Sequence, residues 1–170
     1  MIELLILYVI NNREKTLYSL RADIIEKFGY FTRPSIGTIH PALKRLLTKS
    51  AVTIRNNFSE GGKKSTYYGS TANSKKVFRD LFFEHYSENP TLFFTELQTK
   101  ISVMSMLDNE QKLEFLNDAL LKLESFSLDL KNTYEDEYID FEPNQRALLK
   151  KNISDVKSYI EFLKSVKESL

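Results

Sequence analysis

Apolar positions recur at spacings of three and four through most of this chain and switch to alternation in one stretch near residue 52. The first spacing lines up one face of an α-helix; the second lines up one face of a strand. Ile2, Leu5, Ile6 and Val9 predict a first helix from Ile2 to about Ile10. The polar run NNREK then reads as a turn. Thr16 caps a second helix that runs to about Phe28, since its hydroxyl can accept from a free backbone N–H. Leu17, Leu20, Ile24 and Phe28 form its buried stripe, and Gly29 is its stop.

In RPSIGTIHPALKRLLTKS, Ser35 is an N-cap and Ile39, Leu43, Leu46 and Leu47 make an apolar face. Thr38, Pro41, Lys44, Arg45 and Thr48 point the other way. Pro41 lacks the N–H that would bond to the Gly37 carbonyl, so local rules end a helix at His40 and restart it. Two helices joined by a short turn, the second basic on its outer face, predict a helix-turn-helix. AVTIRNNF then alternates, with Val52 and Ile54 inward and Thr53 and Arg55 outward. SEGGKK is a glycine turn with Lys63 and Lys64 at its tip, and STYYGS returns as a second strand. Three helices followed by a hairpin give a winged helix-turn-helix with the hairpin as the wing.

Thr71 is placed to cap a fourth helix, ANSKKVFRDLFFEHYSE, with Val77, Phe78, Leu81 and Phe82 apolar. Asn89-Pro90 interrupts, and Phe93, Leu97, Ile101 and Met104 mark a fifth helix. Asp108 with Gln111 has the spacing of a capping box. Leu113, Leu116, Leu120, Leu123, Ser127, Leu130 and Tyr134 then form a heptad seam with one polar break. EDEYIDFE is an acidic loop, and Pro143 opens a last helix through Leu149, Ile153, Val156, Ile160 and Leu163. Such seams pack either on each other within one chain or on a second copy. A dimer is the expectation, with Leu113, Leu116, Leu120, Leu123, Leu149, Ile153, Val156, Ile160 and Leu163 as its seam. The fold class is mainly α with a small β-hairpin wing: a winged helix-turn-helix over residues 1–86, then a long-helix dimerisation domain over 87–170.

Charge sharpens this division. Residues 1–85 carry 14 Lys+Arg against 7 Asp+Glu, and the remainder carry 10 against 16, although the whole chain is only +1. A basic half suits a polyanion, and solvated surface charge is the plainer account of any single lysine. With no cysteine, disulfides, thiol catalysis and cysteine-bound zinc are excluded. The apolar start MIELLILYVI lacks a basic leader and a small-residue cleavage site, and no run is long enough to span a membrane. A cytoplasmic location is expected. His40 and His85 sit in no catalytic motif, the acidic residues Glu135, Asp136, Glu137 and Asp140 lack metal-ligand periodicity, and EGGKKST lacks phosphate-loop spacing. Neither enzyme activity, a cofactor nor a metal is expected.

PSIGTIHPALKRLLTKSAV resembles the signature of PadR-type transcriptional regulators, matching through Ser35, Gly37, Thr38, Ile39, Pro41, Ala42, Leu43, Arg45 and Leu46. LYSL resembles the family's second-helix start through Tyr18 and Leu20, and EGGKKSTYYGST resembles its wing. The chain departs from the pattern at Leu17, His40, Ser70 and Ser74. The resemblance covers about residues 2–85. It implies that Pro41 only kinks a continuous recognition helix, and that the chain is a homodimeric, sequence-specific regulator, by family tendency a repressor. A helix whose first turns enter the major groove makes Thr38 and His40 base-reading candidates, and Lys44, Arg45 and Arg33 phosphate-binding ones. With Ser35 and the wing residues Lys63 and Lys64 they form the candidate DNA interface, on a palindromic double-stranded operator. Some family members take a small aromatic effector; Phe93, Phe94, Met104, Met106 and Phe115 are either its lining here or core. A winged-helix adapter that binds a partner protein is the alternative function.

Overall fold

Helix α1 (Ile2–Ile10) is covered around almost its whole circumference. Leu4, Leu5, Ile6, Leu7, Val9 and Ile10 are each at most 8% exposed, so the single apolar face read from the sequence understates its burial. A short helix that is apolar all round belongs inside a domain. Around it pack α2 (Leu17–Phe28), α3 (Ile36–Thr48), strand β3 (Lys64–Ser70), α4 (Ser74–Phe82) and α5 (Pro90–Val103). The computed structural model describes residues 1–58, 64–84 and 86–170. Lys63, the glycine turn of the wing and His85 lie outside the described residues.

Local signals set the helix ends. Thr16 Oγ1 accepts from the Ser19 N–H at 3.2 Å and opens α2 as expected. Gly29 closes it, with φ −64° and its N–H on the Ile25 carbonyl. A Cβ there would lie 2.3 Å from that carbonyl oxygen, so close approach fixes the glycine. Helix α3 runs unbroken through Pro41, which corrects the break that local rules place at His40. Pro41 is exposed, so its missing hydrogen bond falls on the solvent side of the helix, where water can meet the Gly37 carbonyl.

Strands β2 (Val52–Phe58) and β3 pair antiparallel, with Ile54 opposite Tyr68 and Arg55 opposite Tyr67. A third strand, β1 (Lys15–Thr16), joins the other edge of β3 through Lys15 opposite Tyr68. The polar turn expected at 11–15 therefore ends in a strand. Lys15 is buried there, its Nζ 2.5 Å from the Asp23 carboxylate of α2. The inward alternation expected in β2 holds only for Val52. Ile54 is 45% exposed, because the hairpin runs outward past the edge of the core.

A Schellman turn ends α3. Ser50 adopts φ 53°, its N–H bonds to the Leu47 carbonyl, and the Ala51 N–H bonds to the Leu46 carbonyl. The next three carbonyls are held by the segment that opens α4. Asn73 Nδ2 donates to Lys49, Thr71 Oγ1 to Ser50, and Ser74 Oγ to Ala51, at 2.9, 2.7 and 2.6 Å. Thr71 thus serves this clamp, and Asn73, not Thr71, is the N-cap of α4. Helix α4 stops at Phe82, six residues short of the expected end at Glu88. Ser74 is 3% exposed and also accepts from the Thr71 N–H at 2.7 Å. Ser74→Ala leaves a buried donor and a buried acceptor unmet. It is expected to lower stability by about 1–3 kcal/mol in urea denaturation; a change below half of that range would show that the clamp is incidental.

Helix α5 contacts α1, and the contacts divide the chain into one unit over Met1–Leu107 and another over Asp108–Leu170. Helix α5 lies in the first unit, whereas the division after residue 86, drawn from the order of predicted elements, places it in the second. Its buried face includes Phe93, Leu97, Lys100 and Val103; Ile101 and Met104, expected there, are half-buried. The second unit is a helical hairpin of α6 (Asn109–Glu135) and α7 (Pro143–Glu168). Asp108 and Gln111 form the expected capping box. Leu116, Leu120, Leu123 and Ser127 of α6 and Val156 and Leu163 of α7 are buried in the single chain. Leu149, Ile153 and Ile160 are half-buried, while Leu113 is 38% exposed. Among the described residues, no helix is long and apolar enough to cross a membrane.

Candidate nucleic-acid interface

The first turn of α3 is built by Ser35. Its Oγ accepts from the Thr38 N–H at 3.2 Å and lies 3.0 Å from Thr38 Oγ1, so cap and candidate base-reader share one hydroxyl pair. Arg21 Nε donates to the Pro34 carbonyl at 3.1 Å and pins the preceding turn to α2. Ile39, Ala42, Leu43 and Leu46 bury the inner face. Gly37, Pro41, Lys44 and Thr48, at i, i+4, i+7 and i+11, make one exposed stripe, flanked by Thr38, His40 and Arg45.

The cations of this surface are not equally free. Arg45 is committed to Glu3 of α1: Nε lies 2.6 Å and Nη2 2.5 Å from the same carboxylate oxygen. Arg33 Nε donates to the Gly29 carbonyl at 3.0 Å. Lys44 and His40 are exposed on α3, and Lys64 is exposed at the described end of the wing. On β2, Arg55 pairs with Glu14 at 2.6 Å and lies over the Tyr67 ring.

The Glu3–Arg45 pair has a pH signature. Burial raises the Glu3 pKa, but hydrogen bonds from its own backbone and from Arg45 outweigh burial and hold it below the ordinary value of 4.5. A lowered folded-state pKa stabilises the fold above the unfolded value, and that contribution is lost as pH falls through the folded value. Glu3→Gln is expected to melt below the wild type at pH 7, with the gap closing as pH drops below 4.5. A gap that stays constant from pH 7 to 3 would mean that packing, not charge, holds α3 on α1.

Residues 6–80 match the family model described as the transcriptional regulator PadR-like family. Over that span, just under half of its length, the chain is similar to this family. The family is one of transcriptional regulators. No curated protein matches the chain. Solved structures similar to it include Bacillus subtilis PadR in complex with operator DNA, at 23% identity over 99% of this chain and 98% of that one, with a TM-score of 0.46. Bacillus subtilis PadR in complex with p-coumaric acid is 23% identical over 99% and 97%, at 0.41. A PadR-like regulator from Bacillus cereus is 17% identical over 98% and 96%, at 0.42.

The structure brings Thr38, His40, Lys44 and Arg45 onto one helix, with Ser35 as its cap and Arg33 just ahead of it. Lys64 belongs to the wing, and Lys63 lies outside the described residues. Lys49 is exposed one turn beyond Arg45, at i+4 spacing from it. Tyr18 is 77% exposed at the start of α2. Of the candidate effector residues, Phe93 and Phe115 are buried, and Phe93 packs edge-on against Tyr86 and Phe94. Met106 lines an open cleft. Among the described residues, no group of three acidic or histidine side chains is placed to hold a metal.

Proposed function

We propose that the chain is a homodimeric, sequence-specific DNA-binding regulator acting in the cytoplasm, a repressor that sets α3 in the major groove of a palindromic operator and the wing beside it. The supporting observation is the exposed stripe of α3, with uncommitted Lys44 and His40 beside Thr38 in a capped first turn, on a helix whose inner face is buried. Thr38 and His40 read base edges, Lys44 and Lys64 bind phosphate, and Lys63 acts with Lys64. Arg45 and Arg33 support the helix and its approach turn, and contribute charge at the rim. Two copies associate through the second unit, where Leu121, Leu128, Leu148 and Phe162 remain exposed beside the half-buried Leu149, Ile153 and Ile160. A small aromatic effector acting on the dimer belongs to the same reading.

Gly37 carries a further expectation. Its backbone is helical, and a Cβ there would meet only Ser35 Oγ, at 3.5 Å, so the free fold does not need glycine. A groove-inserted backbone does. Gly37→Ala is expected to hold or raise stability by up to about 1 kcal/mol while weakening DNA binding; stability and affinity moving together would remove the argument.

The test is selection of duplexes from a random pool, with gel shifts at two salt concentrations and sedimentation of the full chain. Expected are weak binding to all duplexes, tight binding to a selected palindrome and a dimer in solution. A protein that ignores duplexes even at low salt would instead be a winged-helix adapter for another protein.

A further inference from the structure

An open cleft of about 570 Å³ lies at the C-terminal end of α1. Tyr8, Asn12, Arg13, Lys27, Lys75 and Met106 are among its walls, and Lys15 and Asp23 also line it. Lys15 is 8% exposed and neutralises Asp23, the only carboxylate among the described residues of the lining. Arg13, Lys27 and Lys75 are exposed, and four cations less one carboxylate leave the cleft at +3. Asparagine amides and the Tyr8 phenol add hydrogen-bond donors. The volume falls within the range of small-molecule sites, about 300–1,000 Å³.

We propose that this cleft binds a small, multiply charged anion bearing carboxylate or phosphate groups. Concave walls of one sign concentrate such ions from solution. The cleft takes no residue from α3, β2 or β3. It opens at the end of α1 remote from Glu3, about 10 Å along the axis at 1.5 Å per residue, and Glu3 is where α3 is anchored. Its occupant is therefore a metabolite-sized ion and not the DNA backbone. Lys15 lies opposite Tyr68 of β3, and Asp23 belongs to α2, so an anion here ties the root of the wing to the helix before the recognition helix. That consequence rests on the DNA-binding reading; the binding does not.

Thermal unfolding of the full chain in pyrophosphate or citrate, against sodium chloride at matched ionic strength, tests the site. A saturable rise in melting temperature with either anion is expected, absent from Arg13→Gln/Lys75→Gln and weakened in Lys27→Gln. Because these side chains are exposed, both variants should melt with the wild type in chloride. A rise no larger than that of chloride, or an equal rise in the variants, overturns the proposal. So does a tenfold loss of duplex affinity by the variants in anion-free buffer, which would assign these cations to DNA. The thermal arm contains no DNA, so failure of the DNA-binding reading leaves it intact.

Discussion

Ile6→Ala is expected to cost about 3 kcal/mol, within the 2–5 kcal/mol range for truncating a buried branched side chain. Ile6 is 0% exposed at the middle of α1, and α1 is contacted by α2, α3, α4, α5 and β3. Elements on every side cannot all close on the vacated volume, so the cavity term persists along with the lost transfer energy. In urea the midpoint should fall with little change in slope, and the first unit should lose structure cooperatively. Tyr138→Ala is the contrast: its ring is fully exposed in the turn between α6 and α7, and the change should stay within about 0.5 kcal/mol. If Ile6→Ala behaved like Tyr138→Ala, α1 would not be the hub of the winged helix.

The difference between Ile6 and Arg45 shows what the sequence makes legible. Thr16, Ser35 and the Asp108–Gln111 box are correct at sequence level because each acts on a backbone group three residues away. The hairpin, though not its register, is legible from two runs of β-formers flanking a glycine-rich segment. Partners far along the chain leave no such trace. Arg45 reads as a phosphate ligand until folding brings in Glu3, 42 residues away, one carboxylate oxygen of which takes both its Nε and its Nη2. Lys15 reads as part of a polar turn until Asp23 neutralises it and β3 takes it as an edge strand. Lys100, seven residues after Phe93 and three after Leu97, falls on the apolar face by helical period, and only its charge argues for an outward position. It is 2% exposed, with Nζ donating to the Glu84 carbonyl at 2.9 Å and lying 3.9 Å above the Tyr86 ring. Aromatic faces and a carbonyl hold an ammonium that a purely aliphatic pocket would reject. The seam of the last two helices was visible as a seam, and periodicity left open which helix would meet it. Within one chain, α6 and α7 meet each other.

Lys44→Ala should weaken binding to every duplex by a similar factor, whereas Thr38→Ala should narrow the gap between selected and unrelated duplexes. Lys44 is an exposed cation on the outer stripe of α3, suited to phosphate. One phosphate contact contributes about 0.9 to the slope of log affinity against log salt. A two-fold dimer loses two such contacts, so the slope should drop by about 1.8 and affinity at 0.15 M salt by roughly 30-fold. Thr38 sits in the first turn, with its hydroxyl 3.0 Å from that of Ser35. Its loss leaves the Ser35 cap on the backbone N–H in place, so the fold should hold while about 1 kcal/mol of base discrimination per half-site disappears. Thr38→Ser keeps the hydroxyl and should keep the preference. Arg45→Ala separates charge from contact. Its guanidinium is bound to Glu3, so removing it should lower the melting temperature and change the salt slope less than Lys44→Ala does. If Lys44→Ala and Thr38→Ala gave equal losses on all duplexes, the division of labour along this helix would be wrong. If Arg45→Ala flattened the slope as much as Lys44→Ala, the Glu3 pair must open on DNA, and Arg45 would return to the interface.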